Sequence, residues 1–139
     1  MKVIIINGPN LNLLGKREVD IYGNVSFDDY YNSLRKLFPD INLSYFQSNI
    51  EGELIDKLHE VGFTYDYIIL NGGGYSHTSI ALSDAVSSID CNAIDVHISN
   101  IYSREEYRTK SLLSKNCLAV ICGFGLDSYR LALESLKFW

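Results

Sequence analysis

Residues 67–74, Tyr-Ile-Ile-Leu-Asn-Gly-Gly-Gly, have the pattern of a short buried strand that ends in a glycine-rich turn. Four other short apolar runs have this character, and each is followed by a segment with helical spacing. The predicted strands are residues 3–7, 43–47, 67–71, 93–98 and 118–122. The predicted helices are residues 27–38, 52–61, 78–88, 104–111 and 128–137. Five βα units in succession predict a doubly wound, five-stranded parallel sheet with helices on both faces.

Two of the predicted helices begin with the Ser-x-x-Asp/Glu pattern of a capping box. In this motif, side chains satisfy the backbone N–H groups of the first helical turn. Ser26 stands three residues before Asp29, and Ser103 stands three residues before Glu106. Both motifs predict that a helix begins directly after the serine.

The chain has 139 residues, which is the length of one domain, predicted here over residues 1–139. Hydrophobic residues make up 47% of it, which excludes a disordered chain, and no apolar run approaches the roughly 18–20 residues of a membrane span. The net charge of −5 argues against a nucleic-acid surface. Three cysteines without CxxC spacing predict neither a disulfide framework nor a zinc site. Met1-Lys2 leads directly into a strand rather than a signal peptide, so we expect a cytoplasmic protein.

Polar residues collect where the predicted strands end, at the edge where parallel sheets bind ligands. Asn7, Asn71 and His97 lie at or near the ends of three strands, and His77 and Ser99 follow shortly after two of them. Turn formation alone explains Asn, Ser and Gly residues here, but it does not require two histidines at one edge. We therefore expect a site for a small polar ligand, with plain turns as the alternative.

The connection after the first strand, residues 8–25, is much longer than an ordinary βα loop and has neither helical nor strand periodicity. Loops of this length often act as lids, and this one contains Arg17 and Tyr22. An ordered Ω-loop or a disordered stretch is the alternative.

Several chemistries that are common in this fold class lack their residues. The first strand is not followed by GxGxxG or by an acidic cluster, and the glycines 72–74 lack a P-loop lysine. The three histidines have no metal-ligand spacing, so no metal is expected. No lysine ends a predicted strand, which argues against a Schiff base. If the protein is an enzyme, acid–base catalysis by His, Tyr and Arg remains.

Short motifs run in order over nearly the whole chain. They are residues 8–15 (GPNLNLLG), 17–18 (RE), 21–23 (IYG), 46–49 (FQSN), 51–56 (EGELID), 77–82 (HTSIAL), 96–101 (VHISNI), 104–106 (REE) and 121–125 (ICGFG). Together they resemble the type II 3-dehydroquinate dehydratases. The resemblance implies a flavodoxin-like fold and a lyase of the shikimate pathway that dehydrates 3-dehydroquinate to 3-dehydroshikimate through an enolate. It also implies that no metal or cofactor is used, and that the subunits form a dodecamer of trimers.

The resemblance also implies roles for individual residues. Tyr22 would be the base, Arg17 would favour its phenolate, His97 would be the acid, and Asn10 would support a water molecule that stabilises the enolate. The residues implied to bind substrate are Asn71, His77, Ile98 through its backbone N–H, Ser99 and Arg108. Asp84 would reach the site of a neighbouring subunit.

The chain departs from the usual pattern of this family in several places. Residues 71–76 read Asn-Gly-Gly-Gly-Tyr-Ser where the family usually has Asn-Pro-Gly-Ala-Tyr-Thr, and we expect the additional Gly72 and Gly74 to loosen this loop. Asp95 replaces the usual Glu. It shares a strand face with His97, so a carboxylate there could still orient the imidazole.

Other readings stay open at this point. We expect Arg104 to be solvated or at an interface, since surface arginines usually pair locally. A non-catalytic flavodoxin-like module that binds a small polyol acid, or only oligomerises, is one alternative. A flavin-binding enzyme is another.

Overall fold

The computed structural model describes residues 1–16, 20 and 24–139, which form a five-stranded parallel sheet covered by helices. The strands are β1 (Lys2–Asn7), β2 (Asn42–Gln47), β3 (Tyr67–Asn71), β4 (Asn92–His97) and β5 (Ala119–Cys122). They lie in the order β2-β1-β3-β4-β5, and each neighbouring pair is parallel. The predicted doubly wound sheet is confirmed.

In the part of the chain that the structure describes, four α-helices of eight or more residues connect or follow the strands. They are α1 (Phe27–Leu37), α2 (Glu51–Val61), α3 (Ile80–Ser87) and α4 (Asp127–Ser135). The predicted cap of α1 is present, because the Asp29 N–H donates to Ser26 Oγ at 3.2 Å. Helix α3 begins two residues later than predicted, because Ser79 caps it by accepting from the Leu82 N–H at 2.8 Å. None of the helices in the described ranges is long and apolar enough to cross a membrane.

The core consists of two apolar layers, one on each face of the sheet. Alternation along β1 sends Val3 and Ile5 into one layer and Ile4 and Ile6 into the other. Helices α1 and α4 cover the first layer, and helices α2 and α3 cover the second. Because the central strands are buried on both faces, their sequences are continuous apolar runs rather than alternating ones.

The prediction of a helix over residues 104–111 is wrong. The chain there forms separate 3-10 turns at Ile101–Ser103, Glu106–Arg108 and Ser114–Asn116. Ser103 is not a helix cap, because its hydroxyl donates to the Asn100 carbonyl oxygen at 3.0 Å. None of residues 104–111 is fully buried, so a helix here would have had no apolar face to pack on the sheet.

The beginning of the predicted lid is anchored in the core. After β1 the chain makes a 3-10 turn at Leu11–Leu13, and the side chains of Leu11 and Leu14 are buried in the layer that α1 covers. The segment of residues 8–14 is therefore a fixed wall of the structure. Arg17 and Tyr22, on which the lid prediction depends, lie outside the described residues.

Candidate active site

A pocket of about 120 Å³ opens at the carboxyl edge of the sheet, beside the ends of β1, β3 and β4. This is the position at which parallel α/β sheets bind ligands. Seven residues singled out from the sequence line it: Asn10, Asn71, His77, His97, Ile98, Ser99 and Arg108. The expectation that polar residues from separate strands converge at one edge is therefore met.

Three other predicted site residues are not placed in this pocket. Asp84 is exposed on α3 and does not line the pocket of its own chain. Arg17 and Tyr22 lie outside the described residues.

His97 is held by a buried carboxylate. It ends β4 two residues after Asp95, so both side chains lie on the same face of the strand, and His97 Nε2 is 3.0 Å from Asp95 Oδ2. The hydroxyls of Ser111 and Ser114 donate to the same oxygen at 2.7 and 2.6 Å. The aspartate side chain, although shorter than a glutamate, therefore reaches the imidazole.

These contacts keep Asp95 ionised although its side chain is fully buried. Burial by itself would raise the pKa of Asp95. The hydrogen bond and charge of His97, together with the two serine hydroxyls, outweigh burial, so the pKa lies below its ordinary value. Asp95 thus accepts a hydrogen bond from His97 Nε2, and Nδ1 is the ring nitrogen that can meet a ligand.

His77 stacks on His97 and supplies a second imidazole. The ring centroids are 5.8 Å apart with an interplanar angle of 29°. His77 Nδ1 donates to the Lys110 carbonyl oxygen at 2.6 Å. Burial lowers the pKa of His77, and the nearby charges of His97 and Arg108 lower it further. In the neutral ring, with Nδ1 committed to Lys110, Nε2 remains as a hydrogen-bond acceptor.

Asn71, at the end of β3, has its amide fixed from two sides. Its Oδ1 accepts from the Gly73 backbone N–H at 3.1 Å, and its Nδ2 donates to the Tyr129 hydroxyl at 2.8 Å. The side chain is 4% exposed, so these bonds form largely away from water. Asn71 therefore presents a defined amide edge to the pocket.

The glycine loop after β3 is more tightly packed than expected. Gly73 has a φ of +58°, a left-handed conformation that favours glycine. A Cβ on Gly72 would lie 2.7 Å from Ser76 Oγ and 2.9 Å from a methyl carbon of Leu113, so this glycine is enclosed. Only Gly74 has open space beside it, and the predicted loosening can apply to that position alone.

Two arginines give the pocket a positive side. Arg108 and Arg104 both line it, and the Arg104 side chain is only 15% exposed, so the expectation of a solvated Arg104 is wrong. Arg104 Nη1 donates to Ser99 Oγ at 3.3 Å. Glu105 lies 2.9 Å from Arg108 Nε and 3.9 Å from Arg104 Nε, and it partly balances the two charges.

Asn10 also lines the pocket, and its backbone has a conformation that asparagine tolerates better than most residues. Its φ is +70°, and its backbone N–H donates to Asn49 Oδ1 at 2.9 Å. This contact ties the loop after β1 to the loop after β2.

Sequence reasoning missed four residues that build the site: Arg104, Ser111, Ser114 and Tyr129. Arg104 and Ser111 were assigned to a helix that does not form, Ser114 was assigned to no element, and Tyr129 lies on α4, far along the chain from Asn71. The only signal was indirect. A buried Asp95 must find hydrogen-bond donors, but sequence does not say from where.

The arrangement suits a small anionic molecule that carries several oxygens. The arginines and Ser99 can bind its oxygens, and the Asp95–His97 pair can exchange a proton with it. Among residues 1–16, 20 and 24–139, no group of three or more His, Cys, Asp or Glu side chains could hold a metal ion.

Comparisons with known proteins agree with this chemistry. A family model described as "Dehydroquinase class II" matches residues 1–137. A 3-dehydroquinate dehydratase of Exiguobacterium sp. is 50% identical over 137 residues, which cover 98% of this chain and 94% of that protein. One of Prochlorococcus marinus is also 50% identical, over 138 residues that cover 98% and 95%. The crystal structure of a type II dehydroquinase from Butyrivibrio crossotus superimposes with a TM-score of 0.95 at 42% identity, covering 99% and 97% of the two chains.

Proposed function

Because the chain belongs to the class II dehydroquinase family, we propose that its pocket is the active site of a 3-dehydroquinate dehydratase. The reaction converts 3-dehydroquinate to 3-dehydroshikimate, a step of the shikimate pathway, so the protein is a lyase with a small-molecule substrate. The observation that carries the assignment is the imidazole of His97. It is held by an ionised Asp95 in a pocket that two arginines make positive.

The reaction removes a proton from the carbon next to a ketone and expels a hydroxyl group. Loss of the proton forms an enolate, and the hydroxyl leaves more easily when it receives a proton. His97 supplies that proton. Asp95 stabilises the imidazolium and fixes the ring, so the acid is ready without further rearrangement.

Tyr22 is the base in this proposal, and Arg17 is its activator. A tyrosine phenol ordinarily has a pKa of about 10, so an arginine beside it is needed to raise the phenolate fraction near neutral pH. The assignment rests on the matching motifs at residues 8–15, 17–18 and 21–23. Bringing both residues over the substrate on one lid would exclude water as the base is assembled.

The remaining pocket residues bind and orient the substrate. Arg108 pairs with its carboxylate, and His77, Asn71, Ser99 and the Ile98 backbone N–H bind carboxylate and hydroxyl oxygens. Asn10 supports a water molecule that stabilises the enolate oxygen. The proposed reaction needs no metal or cofactor, because all its proton transfers have a side chain to perform them.

The assembly and location of the enzyme are also part of the proposal. The family resemblance supports a dodecamer of trimers, and exposed Asp84 on α3 is free of its own pocket, as a residue that serves a neighbouring subunit's site must be. A dodecamer would elute near twelve times 15.7 kDa. Mixed Asp84→Ala and Tyr22→Phe subunits should partly restore activity if Asp84 acts across an interface. A cytoplasmic location fits a biosynthetic enzyme.

Turnover of 3-dehydroquinate by purified protein, followed through the absorbance of the conjugated enone product, tests the activity. His97→Ala and Tyr22→Phe should each lower kcat by roughly 10²–10⁴-fold, as loss of a general acid or base does. His59→Ala is the matched control, because His59 is exposed on α2, and it should keep wild-type kcat. Wild-type protein without turnover would contradict the proposed function.

A further inference from the structure

The buried hydroxyl of Tyr129 bridges two asparagines that end neighbouring strands. It lies 2.8 Å from Asn71 Nδ2 and 2.8 Å from Asn7 Oδ1. Asn7 and Asn71 are register partners at the ends of β1 and β3. Tyr129 is 0% exposed and does not line the pocket, so it acts on a bound ligand only through a neighbour.

The Gly73 backbone N–H decides the direction of these hydrogen bonds. An N–H can only donate, so the atom of the Asn71 amide that faces Gly73 is Oδ1. Asn71 Nδ2 therefore faces Tyr129, whose oxygen accepts, and the one phenolic proton goes to Asn7 Oδ1. Burial raises the pKa of the Tyr129 phenol, so this proton stays in place.

The consequence appears at the pocket. An asparagine amide has two N–H donors, and Tyr129 accepts from one of them, which leaves the second for a ligand. Turning the amide over would set Nδ2 against the Gly73 N–H, donor against donor. We propose that Tyr129 is a positioning residue that holds the Asn71 amide so that an N–H, not the carbonyl, meets an oxygen of the substrate. The inference rests on the proposed function for the identity of that substrate.

Tyr129→Phe tests the proposal with little change in volume. It leaves Asn71 Nδ2 without its acceptor, so the side chain is released from one of its two anchors. We expect KM for 3-dehydroquinate to rise roughly five- to tenfold, the usual worth of one hydrogen bond, while kcat changes little. An unchanged KM in a folded Tyr129→Phe protein would overturn the proposal.

Tyr30→Phe is the matched control. The Tyr30 hydroxyl is also buried, but it has no hydrogen-bond partner among the described residues, and its ring packs 6.3 Å from that of Tyr129. Both variants remove one buried hydroxyl from the same aromatic cluster. Tyr30→Phe should leave KM and kcat at wild-type values, and an equal rise of KM in both variants would count against a specific role for Tyr129.

A double-mutant cycle separates action through Asn71 from a general loss of packing. In an Asn71→Ala background, Tyr129→Phe should have no further effect on KM, because the group it positions is gone. Additive effects would refute the proposal. If Tyr129→Phe does not fold, Asn7→Ala replaces it in the same cycle, since it removes the acceptor of the Tyr129 proton. An unchanged KM there would refute the proposal as well.

Solvent exchange of the Asn71 side-chain amide, measured by ¹⁵N NMR, gives a readout that does not need turnover. The N–H that donates to Tyr129 should be protected in wild type and in Tyr30→Phe, and it should exchange faster in Tyr129→Phe. Equal exchange in all three proteins would overturn the positioning role even in an active enzyme. Absence of turnover in wild type, with this exchange pattern intact, would instead contradict only the proposed function.

Discussion

Two segments of this chain carry the same helix-start motif and fold differently. Ser26 with Asp29 begins α1, an ordinary helix of eleven residues. Ser103 with Glu106 begins no helix, and the chain continues through short 3-10 turns. Helix α1 buries Phe27 and Leu34 against the sheet, whereas none of residues 104–111 is fully buried. A capping motif therefore sets where a helix begins only when the segment also has an apolar face whose burial stabilises the helix.

The second segment, which is not helical, contributes several side chains to the site. We call residues 101–114 the arginine segment. Its turns direct Arg104 and Arg108 to the pocket, and Ser111 and Ser114 to Asp95. In a regular helix, side chains three and four residues apart lie on one face. The two arginines could then not have lined the pocket while the two serines bound Asp95.

The contrast predicts that α1 contributes stability rather than chemistry. Leu34 is 1% exposed, so Leu34→Ala should lower the free energy of unfolding by about 2–5 kcal/mol, measured by urea denaturation. Leu37→Ala, on the exposed side of the same helix, should change it by less than about 0.5 kcal/mol. Equal effects at the two leucines would break the explanation of why α1 forms.

The arginine segment should show the opposite behaviour. Arg108→Ala removes a guanidinium from the pocket, so kcat/KM should fall roughly 10²-fold, while the free energy of unfolding stays within about 0.5 kcal/mol of wild type. Arg35→Ala, at the exposed end of α1, is the control and should leave kcat/KM unchanged. Large destabilisation by Arg108→Ala would mean that the segment is structural after all.

The serines of the arginine segment should control how stability depends on pH. The pKa of Asp95 lies below its ordinary value in the folded protein, so the unfolded chain takes up this proton first as pH falls. The stability that ionised Asp95 contributes is therefore present above about pH 4 and is lost in more acidic solution. Removing both hydroxyls, by Ser111→Ala with Ser114→Ala, raises the pKa of Asp95.

We expect the double variant to lose about 1–3 kcal/mol of unfolding free energy near pH 7. The difference in unfolding free energy between the variant and the wild type should shrink in acid. Protonation of Asp95 there removes from the wild type the stabilisation that the variant already lacks. Urea denaturation over a pH series measures both effects. Ser103→Ala, whose exposed hydroxyl contacts only a carbonyl oxygen, is the control. A difference that stays constant with pH would rule out Asp95 as the cause.

The two caps give the smallest expected difference. Ser26→Ala should destabilise the protein by about 1 kcal/mol, because the Asp29 N–H loses its acceptor. Ser103→Ala should have an effect below about 0.5 kcal/mol, because Ser103 caps no helix. A loss at Ser103 as large as that at Ser26 would show that the second motif stabilises its turn in some other way.

Much of the fold could be predicted because the information is local. The strands are apolar runs bounded by polar turns, and their predicted ends agree with the structure to within one residue. The pairing of Asp95 with His97 follows from the two-residue period of a strand. The convergence of Asn71 and His97 follows from parallel strands ending at one edge. These inferences need only the two-residue period of a strand and the direction in which the strands run.

The sequence by itself determined the layered sheet, the edge at which the site lies and the two histidines at that edge, because hydrophobic periodicity and strand direction act over a few residues. Only the tertiary structure decided that Arg104 lines the pocket, that Ser111 and Ser114 hold Asp95, and that Tyr129 holds Asn71. Most buried polar atoms find a partner, and that partner is whichever group the packing of distant segments brings within hydrogen-bond distance. Asn71 and Tyr129 stand 58 positions apart in the chain, and no local pattern connects them.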